Sequence, residues 1–535
     1  MWLCTVSNIF TLLFSFFEYN ILMLLNPVTK VLLICFCGFL LSLSAPGYDL
    51  WLLAWIGLVP LFIVIYTSKD IKSCVFLSFL FGFSYNISYG NWFFSIHPLT
   101  WMGFSINQSL CLTMFLYTFS ASLASLYFVL FSICTFYIKK LSTKYNKGIQ
   151  NTFLISIIWI IIFNKLQSSK YILGTPWTLI EYSQYKNLFL IQISEYFGST
   201  FISFLIVLVN LIISNFLIWL FNIQKIGNRL IPKEPGYLEE LIGSSLIVII
   251  IVSASFFYGV FLYKQNEPVF SSESKTICLL QGNLPAKHTR GPTLDLLAAK
   301  NTYSKLTNKN NASLFIAPEG SIPTVYNADR LTQTWVEELV KNKKTDIIGG
   351  TYFVNENYML TNSAIVYSPI LSMNHLSRYE KERLVPFGEY TPLSFLLPNF
   401  LKKLATSAIG KGFSEGKEKG LLEVSFCKVG LNICFESIYP AIVRKQAFKG
   451  ANLLVNISDL SWYSSNFLKQ QFLAFGVFRA IENRKHFIIA SNSGISAFID
   501  PTGKIKSQSI PNNQGVLIDW INPLYKTTFY SKYGW

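Results

Sequence analysis

The chain has 535 residues, of which 52% are apolar and only 13% charged, about half the charged share of an ordinary soluble protein. Lys and Arg number 44 against 28 Asp and Glu, giving a net charge of +16. These figures exclude a disordered chain, a collagen, a coiled coil and a small disulfide scaffold, and they argue against a wholly soluble protein.

The apolar residues lie in blocks, mostly in the first half. A helix needs about 20 of them to cross a bilayer core. The sequence predicts about seven spans: Val31–Ala45, Leu50–Tyr66, Cys74–Ile96, Gln108–Ile138, Thr152–Phe163, Leu188–Phe221 and Ile242–Tyr263. An earlier run, Ile9–Leu25, is broken by Glu18, Tyr19 and Asn20. It reads as an eighth span, an interfacial helix or an extension upstream of Met23. No basic region precedes it, as a cleaved signal peptide would require.

Loop charge sets the orientation of spans. With the N-terminus inside, the inner loops hold Lys69, Lys72, Lys139, Lys140, Lys144, Lys147, Lys225, Arg229 and Lys233, and the outer loops only Lys165, Lys170 and Lys186. An odd number of spans then puts everything after Tyr263 on the outer side. Trp92, Trp101 and Trp177 suit an interfacial aromatic belt.

From about Ser274 the apolar runs shorten to strand length and Gly, Pro and Asn punctuate them. Predicted strands are Thr276–Leu280, Ser313–Ala317, Asp346–Tyr352, Ser363–Tyr367, Gly430–Cys434, Asn452–Ile457, Phe487–Ser491 and Ser496–Ile499. Several are apolar throughout, as in a sheet covered on both faces. Helical patterns fall between them at Thr293–Leu306, Arg330–Lys341, Tyr439–Phe448 and Leu468–Asn483. The division is thus an N-terminal extension (1–30), a transmembrane helical domain (31–264), an α/β domain (274–522) and a short tail (523–535).

The nine cysteines show no CxxC, and His97, His288, His375 and His486 do not cluster. Nothing calls for a metal, a cofactor or nucleic acid.

Four stretches can carry chemistry. In Ser313-Leu-Phe-Ile-Ala-Pro-Glu-Gly320 a strand delivers Glu319 at its C-terminal end, where ligand sites of α/β sheets gather. In Tyr379-Glu-Lys-Glu-Arg-Leu-Val-Pro-Phe-Gly-Glu-Tyr390, Lys381 precedes Glu389 on a loop around Pro386. In Gly430-Leu-Asn-Ile-Cys-Phe-Glu-Ser-Ile-Tyr-Pro440 a strand ends at Cys434 and a helix follows, with Ser437 as N-cap and Pro440 in the first turn. A thiol near that positive helix end would favour thiolate. The fourth is Asn456-Ile-Ser-Asp-Leu-Ser-Trp-Tyr463, with Arg479-Ala-Ile-Glu-Asn483 and Ser491-Asn-Ser-Gly-Ile495 after it. Singly, a strand-end Cys, a Pro-Glu-Gly turn and a Lys among glutamates are more often a core residue, a turn and an ion pair. Their order and surroundings are far more specific.

Ala-Pro-Glu-Gly, Lys381 before Leu-Val-Pro-Phe-Gly-Glu-Tyr, and Ile-Cys-Phe-Glu-Ser together resemble the Glu-Lys-Cys triad of the nitrilase (carbon–nitrogen hydrolase) superfamily. The Leu-Val-Pro-Phe-Gly-Glu form behind a polytopic half is similar to the apolipoprotein N-acyltransferase family. So are Gly174-Thr-Pro-Trp-Thr-Leu-Ile-Glu-Tyr-Ser-Gln184 and Gln281-Gly-Asn283. Three features depart from that family. Gln470-Gln471 stands for its Gln-His, Ser458-Asp459 for its Asn-Asp, and the chain stops at Trp535 before the family's further transmembrane run.

The resemblance implies an αββα sandwich behind the membrane spans. It implies acyl transfer from a membrane phospholipid to Cys434 as a thioester, then to the N-terminal amine of a diacylglyceryl-modified apolipoprotein. Glu319 would be general base, and Lys381 with the Phe435 N–H would hold the oxyanion. Glu389 and Glu436 would support them. No cofactor is implied, and the setting is the bacterial inner membrane, with a monomeric enzyme facing the periplasm. Two other classes remain open on the residues. A membrane-tethered amidase or hydrolase would use the same triad with water. A transporter with an outer binding domain would need charges within spans, for which Glu18 and Glu195 are the candidates. The loop Asn399–Gly416 has the Gly and Ser content of a lid.

Overall fold

The computed structural model describes residues 26–100, 103–145, 149–169, 175–223, 237–285, 292–369, 377–386, 388–391, 412–417 and 421–534. The run Ile9–Leu25, Trp101, Lys147, Lys170, Gly174, Lys225, Arg229, Lys233, His288, His375 and the first part of the Asn399–Gly416 loop lie outside these residues. The chain divides into two compact units. One comprises residues 1–91, 115–184 and 200–256, the other 92–114, 185–199 and 257–535.

The first unit is helical. Helix α1 (Pro27–Ser42) starts on Asn26, whose side chain accepts the Thr29 N–H at 2.8 Å, with Pro27 in the first turn. The predicted span Leu50–Tyr66 is two pieces, a 3₁₀ turn (Trp51–Trp55) and α2 (Val59–Thr67). The break falls at Gly57, where a Cβ would lie 2.6 Å from Leu41 Cδ1 and 2.7 Å from the Leu53 carbonyl oxygen. Asn210 takes over the freed backbone groups. Its Oδ1 accepts the Leu58 N–H at 2.9 Å and its Nδ2 donates to the Ala54 carbonyl at 2.9 Å. Helix α3 (Ile71–Tyr89), capped by Asp70, ends seven residues short of the predicted Ile96 and gives way to a 3₁₀ turn. Helix α4 (Ile106–Tyr145) covers the next predicted span, and α5 (Ile149–Trp159) followed by a π-helical segment, Ile160–Leu166, covers the one after it.

The predicted span Leu188–Phe221 is also broken. It forms α6 (Leu188–Ile191), α7 (Ser194–Phe197) and α8 (Thr200–Ile223). Gly198 separates the last two at φ 72°, a conformation that only glycine adopts freely. A Cβ there would lie 2.6 Å from the Tyr530 ring, and the next N–H, of Ser199, donates to Glu482 Oε1 at 2.9 Å. The last helix of the half is α9 (Tyr237–Gln265).

Among the described residues, four helices are long and apolar enough to cross a membrane: Ile71–Tyr89, Ile106–Leu141, Thr200–Leu220 and Leu238–Gln265. The other predicted spans correspond to shorter apolar helices. Phe36, Phe76, Phe115, Ile161, Ile249 and Ile250 are exposed. Such apolar outer faces are costly in water and suit hydrocarbon. Inside this unit the buried Glu181 carboxylate accepts Asn164 Nδ2 at 2.7 Å and the Ser203 hydroxyl.

The second unit carries two six-stranded sheets. The first sheet contains β1 (Lys275–Gln281), β2 (Leu314–Ile316), β3 (Asp346–Val354), β4 (Leu360–Tyr367), β5 (Arg378–Glu380) and β12 (Gly515–Ile521) in the order β12-β1-β2-β3-β4-β5. The second contains β6 (Leu422–Val424), β7 (Cys427–Ile433), β8 (Leu453–Ser458), β9 (Phe487–Ser491), β10 (Ala497–Ile499) and β11 (Ile505–Gln508) in the order β11-β10-β9-β8-β7-β6. Central pairs are parallel and edge pairs antiparallel. Every predicted strand and helix of this half is present. Strands β5, β6, β11 and β12 are additional.

The sheets pack face to face. Ile277, Leu279, Ile316 and Ile348 of one meet Leu431, Ile433, Val455 and Ile488 of the other in one buried core. Helix α11 (Arg330–Lys343) packs Trp335, Val336 and Leu339 on the outer face of the first sheet, beside Ala299 and Tyr303 of α10 (Pro292–Asn308). Helices α12 (Pro440–Phe448) and α13 (Asn466–Asn483) belong to the second sheet's outer layer. The result is the predicted αββα sandwich. A final short helix, α14, covers Phe529–Tyr533.

Candidate active site

The predicted residues come from four strand ends of the sandwich and converge. Strand β2 runs into Pro318-Glu319-Gly320, where Gly320 turns at φ 62°. A Cβ on Gly350, in the adjacent strand β3, would lie 2.5 Å from the Gly320 nitrogen, 2.6 Å from Glu319 Cα and 2.8 Å from the Pro318 oxygen. Only a glycine lets the Glu319 turn sit this close to the sheet.

Lys381 follows β5 and is buried, with 1% of its side chain exposed. Its Nζ lies 2.9 Å from Glu389 Oε1 and 3.4 Å from Glu319 Oε1. Asn362 of β4 bridges the same carboxylates, its Nδ2 donating to Glu319 Oε1 at 2.7 Å and Glu389 Oε1 at 2.9 Å. Glu389 Oε2 accepts the Val385 N–H at 2.8 Å, and Glu319 Oε2 accepts the Asp459 N–H at 2.9 Å. Each carboxylate is thus held at both oxygens.

Cys434 ends β7 and opens a 3₁₀ turn, Cys434–Ile438. Its φ of 54° is uncommon for a residue with a side chain, and such strain costs on the order of 1–3 kcal/mol. Asn456 of β8 steadies it, donating to the Cys434 carbonyl at 3.0 Å and to Asn432 Oδ1 at 2.6 Å. The thiol lies close enough to Glu319 for that carboxylate to influence its charge.

Two expectations about this turn need correcting. Ser437 is not the N-cap of the next helix. Its hydroxyl donates to the Cys434 carbonyl at 3.2 Å, and α12 begins at Pro440 behind Tyr439. The thiol is also not set toward thiolate. Burial, then the Glu319 charge, push its pKa well above the ordinary value, and Lys381 only partly opposes them. Five residues, the rest of the 3₁₀ turn and Tyr439, separate Cys434 from the helix proper, so the helix's positive end does not decide its charge.

The other two charges are set by each other. Burial works against the Glu319 carboxylate, but Lys381, Asn362 and the Asp459 N–H hold its pKa below the usual range. Burial likewise works against the Lys381 ammonium, and Glu319 and Glu389 outweigh it, raising its pKa. The resting site is therefore a neutral thiol, an ionised Glu319 and a protonated Lys381.

Glu436 ties the nucleophile turn to the lysine loop. Its Oε1 accepts the N–H groups of Glu382 at 2.6 Å and Arg383 at 3.0 Å, and its Oε2 accepts Ile433 N–H at 2.7 Å and Tyr379 Oη at 2.9 Å. Burial raises its pKa to about 7 against these donors. Phe435 is buried edge-on to the Tyr439 ring, with centroids 5.4 Å apart. Tyr463 lies close enough to feel the charges of Cys434 and Lys381, and Trp92 packs on it edge to face at 5.5 Å.

Asn362 and Gly350 were not anticipated. The one available signal was a polar residue and a glycine pair inside otherwise apolar strands. Glu195, a candidate intramembrane charge, is instead paired with Arg484 at 2.8 Å and Lys526 at 2.6 Å. Among the described residues no group of three His, Cys, Asp or Glu is arranged to hold a metal.

Comparison with known proteins covers both halves. Residues 37–212 match the apolipoprotein N-acyltransferase N-terminal domain, and residues 289–526 match the carbon–nitrogen hydrolase family. An apolipoprotein N-acyltransferase of Geobacter metallireducens is 27% identical over 515 residues, 95% of this chain and 92% of that protein. One from Haemophilus influenzae is 28% identical over 528 residues, again covering 95% and 92%. Among solved structures, Saccharomyces cerevisiae Nit3, of branch 10 of the nitrilase superfamily, aligns with 47% of this chain and 91% of its own at 15% identity and a TM-score of 0.36. With its helical half and its hydrolase-like half matched in order, the chain is similar to apolipoprotein N-acyltransferases along nearly its whole length.

Proposed function

We propose that this membrane protein N-acylates lipoproteins in two steps through a thioester on Cys434. The carrying observation is the convergence at one strand-end cluster of the buried Cys434 thiol, the Glu319 carboxylate beside it and the buried Lys381 ammonium, 3.4 Å from Glu319.

In the first step Glu319 takes the thiol proton as sulfur attacks the ester carbonyl of a phospholipid. Charge builds on the carbonyl oxygen, and Lys381 with the Phe435 N–H stabilises it. A donor of this kind contributes about 3–4 kcal/mol in comparable sites. Glu319 then returns the proton to the departing lysophospholipid alkoxide. In the second step the α-amine of a diacylglyceryl-cysteine lipoprotein attacks the thioester, and Glu319 passes a proton from nitrogen to sulfur. Glu389 and Asn362 fix Lys381 and Glu319, and Glu436 holds the two loops in register.

The proposal extends to the setting. The sandwich (274–522) faces the periplasm of a bacterial inner membrane, as the loop charges favour, and the helical domain (31–264) serves lipid substrates. The enzyme works as a monomer. Incubation with acyl-labelled phospholipid should give a hydroxylamine-labile adduct on wild type and none on Cys434→Ala. A diacylglyceryl lipopeptide should then be N-acylated. Release of free fatty acid without an N-acylated product would make the protein a hydrolase instead.

A further inference from the structure

The acyl-transfer reading carries a proton imbalance, and a pocket beside Glu319 answers it. The first step is proton-neutral, because the thiol proton leaves on the lysophospholipid hydroxyl. The second is not. An α-amine with a pKa of about 8 arrives mostly as an ammonium at neutral pH. When the C–N bond forms and the C–S bond breaks, nitrogen loses two protons. One goes to the Cys434 sulfur, and the other must leave the site in every turnover.

Glu319 lines a second pocket, together with Tyr303 and Asp295 of α10, Asp459 and Asn492. It offers about 30 Å³ to the centres of water molecules, room for about two. The Tyr303 side chain is 3% exposed, and its hydroxyl has no hydrogen-bond partner among the described residues. Gly282 makes room for that hydroxyl, since a Cβ there would lie 2.5 Å from it. Asp459 presents its backbone N–H to Glu319 at 2.9 Å, and Asn492 donates to its carboxylate at 3.1 Å. Burial raises the pKa of Asp459, which suits a group that must accept a proton in passing. Asp295, half-buried, stands at the same pocket. The charged and titratable groups around Glu319 are Lys381, Cys434, Glu389, Asp459 and Tyr463, and those around Asp459 are Glu319 and Tyr303, with Asp295 at the same pocket.

We infer that this pocket is the proton exit of the second step. The surplus proton passes from Glu319 through pocket water, with Tyr303 and Asp459 as relay groups, to solvent.

The test rests on the acyl-transfer reading and separates from it by timing the two half-reactions. Acyl-enzyme formation and its discharge to lipopeptide are followed in wild type, Asp459→Asn and Tyr303→Phe. Asp459→Asn keeps the backbone N–H and the Oδ1 acceptor. At about pH 7 discharge should slow about a hundredfold more than acylation, the low end of what proton transfer contributes. Added imidazole should restore it. Above about pH 9, where the amine arrives neutral, the gap should close. Equal slowing of both half-reactions, a gap that ignores pH, or no buffer rescue in either variant would overturn the exit. A wild-type protein that forms no acyl-enzyme would instead overturn the transferase reading and this inference with it.

Discussion

The sheet-bearing unit contains two clusters of buried charge, and they are built differently. Around Cys434, one lysine serves two carboxylates that keep 11% and 12% of their side chains exposed. Around Arg484, the guanidinium is closed on all sides by Glu195 at 2.8 Å, Gln192 Oε1 at 2.6 Å and the Pro501 carbonyl at 2.9 Å. Close by, the Arg479–Glu482 pair at 2.9 Å has no exposed side-chain surface. Buried charge alone therefore does not mark a site. What marks it is a thiol among the charges, backbone strain at that cysteine, and an opening to solvent. The second cluster fastens chain: Glu195 and Gln192 belong to the short helices interrupted at Gly198, and Arg484 sits at the end of α13.

The contrast predicts which substitutions remove activity and which remove stability. Cys434→Ala should abolish acyl-enzyme formation, a loss of a millionfold order in comparable nucleophile deletions, with Tm nearly unchanged. Arg484→Met should do the reverse. It leaves Glu195 with Lys526 alone and should cost about 3–5 kcal/mol, as breaking a buried pair does, while the folded fraction keeps its kcat. A comparable loss of kcat in the folded protein would show that the second cluster serves the chemistry too.

Lys381→Met tests both properties in one residue. It removes an oxyanion donor, which should lower kcat by about a hundred- to a thousandfold. It also leaves Glu319 and Glu389 facing each other without a cation. The proton affinity of Glu319 should rise, and stability should then fall as pH increases. Gly350→Ala comes next. Its Cβ meets backbone rather than a flexible side chain, so the Glu319 turn must shift. We expect about 1–3 kcal/mol of destabilisation and a fall in kcat larger than that loss of folded protein explains.

Much of this site was legible in one sequence because its parts lie next to strong local signals. Glu319 follows an apolar strand and a proline, Cys434 ends another strand, and Lys381 precedes a loop of Pro and Gly. What escaped depends on partners far along the chain. Strands β5, β6 and β11 have three or four residues each, too few for a pattern of period two to stand out. The breaks at Gly57 and Gly198 are forced by Leu41 and Tyr530, which no local reading supplies. The resting charge of Cys434 was misjudged because a helix terminus is visible in sequence and burial beside Glu319 is not.

Asn362 gives the finest test of the comparison. It carries no charge, yet it is what makes the Cys434 cluster more than a pair of ion contacts. Its amide holds Glu319 and Glu389 on one line with Lys381. A hydrogen bond to a charged group contributes about 1.5–3 kcal/mol, part of which water can restore at a site with this opening. Asn362→Ala should therefore reduce kcat about tenfold and leave KM for phospholipid little changed. The sign of the pH effect is fixed. The Asn362 bond favours the ionised form of Glu319 and helps hold its pKa low, so its loss raises that pKa. The acid limb of the kcat profile should move to higher pH, and stability should be lost earlier as pH falls through the raised value. Asn362→Gln, with the same amide on a longer stem, should recover part of the rate if the hydrogen bond is what matters. An unshifted acid limb with a lowered Tm would reduce Asn362 to a packing role and leave Lys381 as the sole organiser of the two carboxylates.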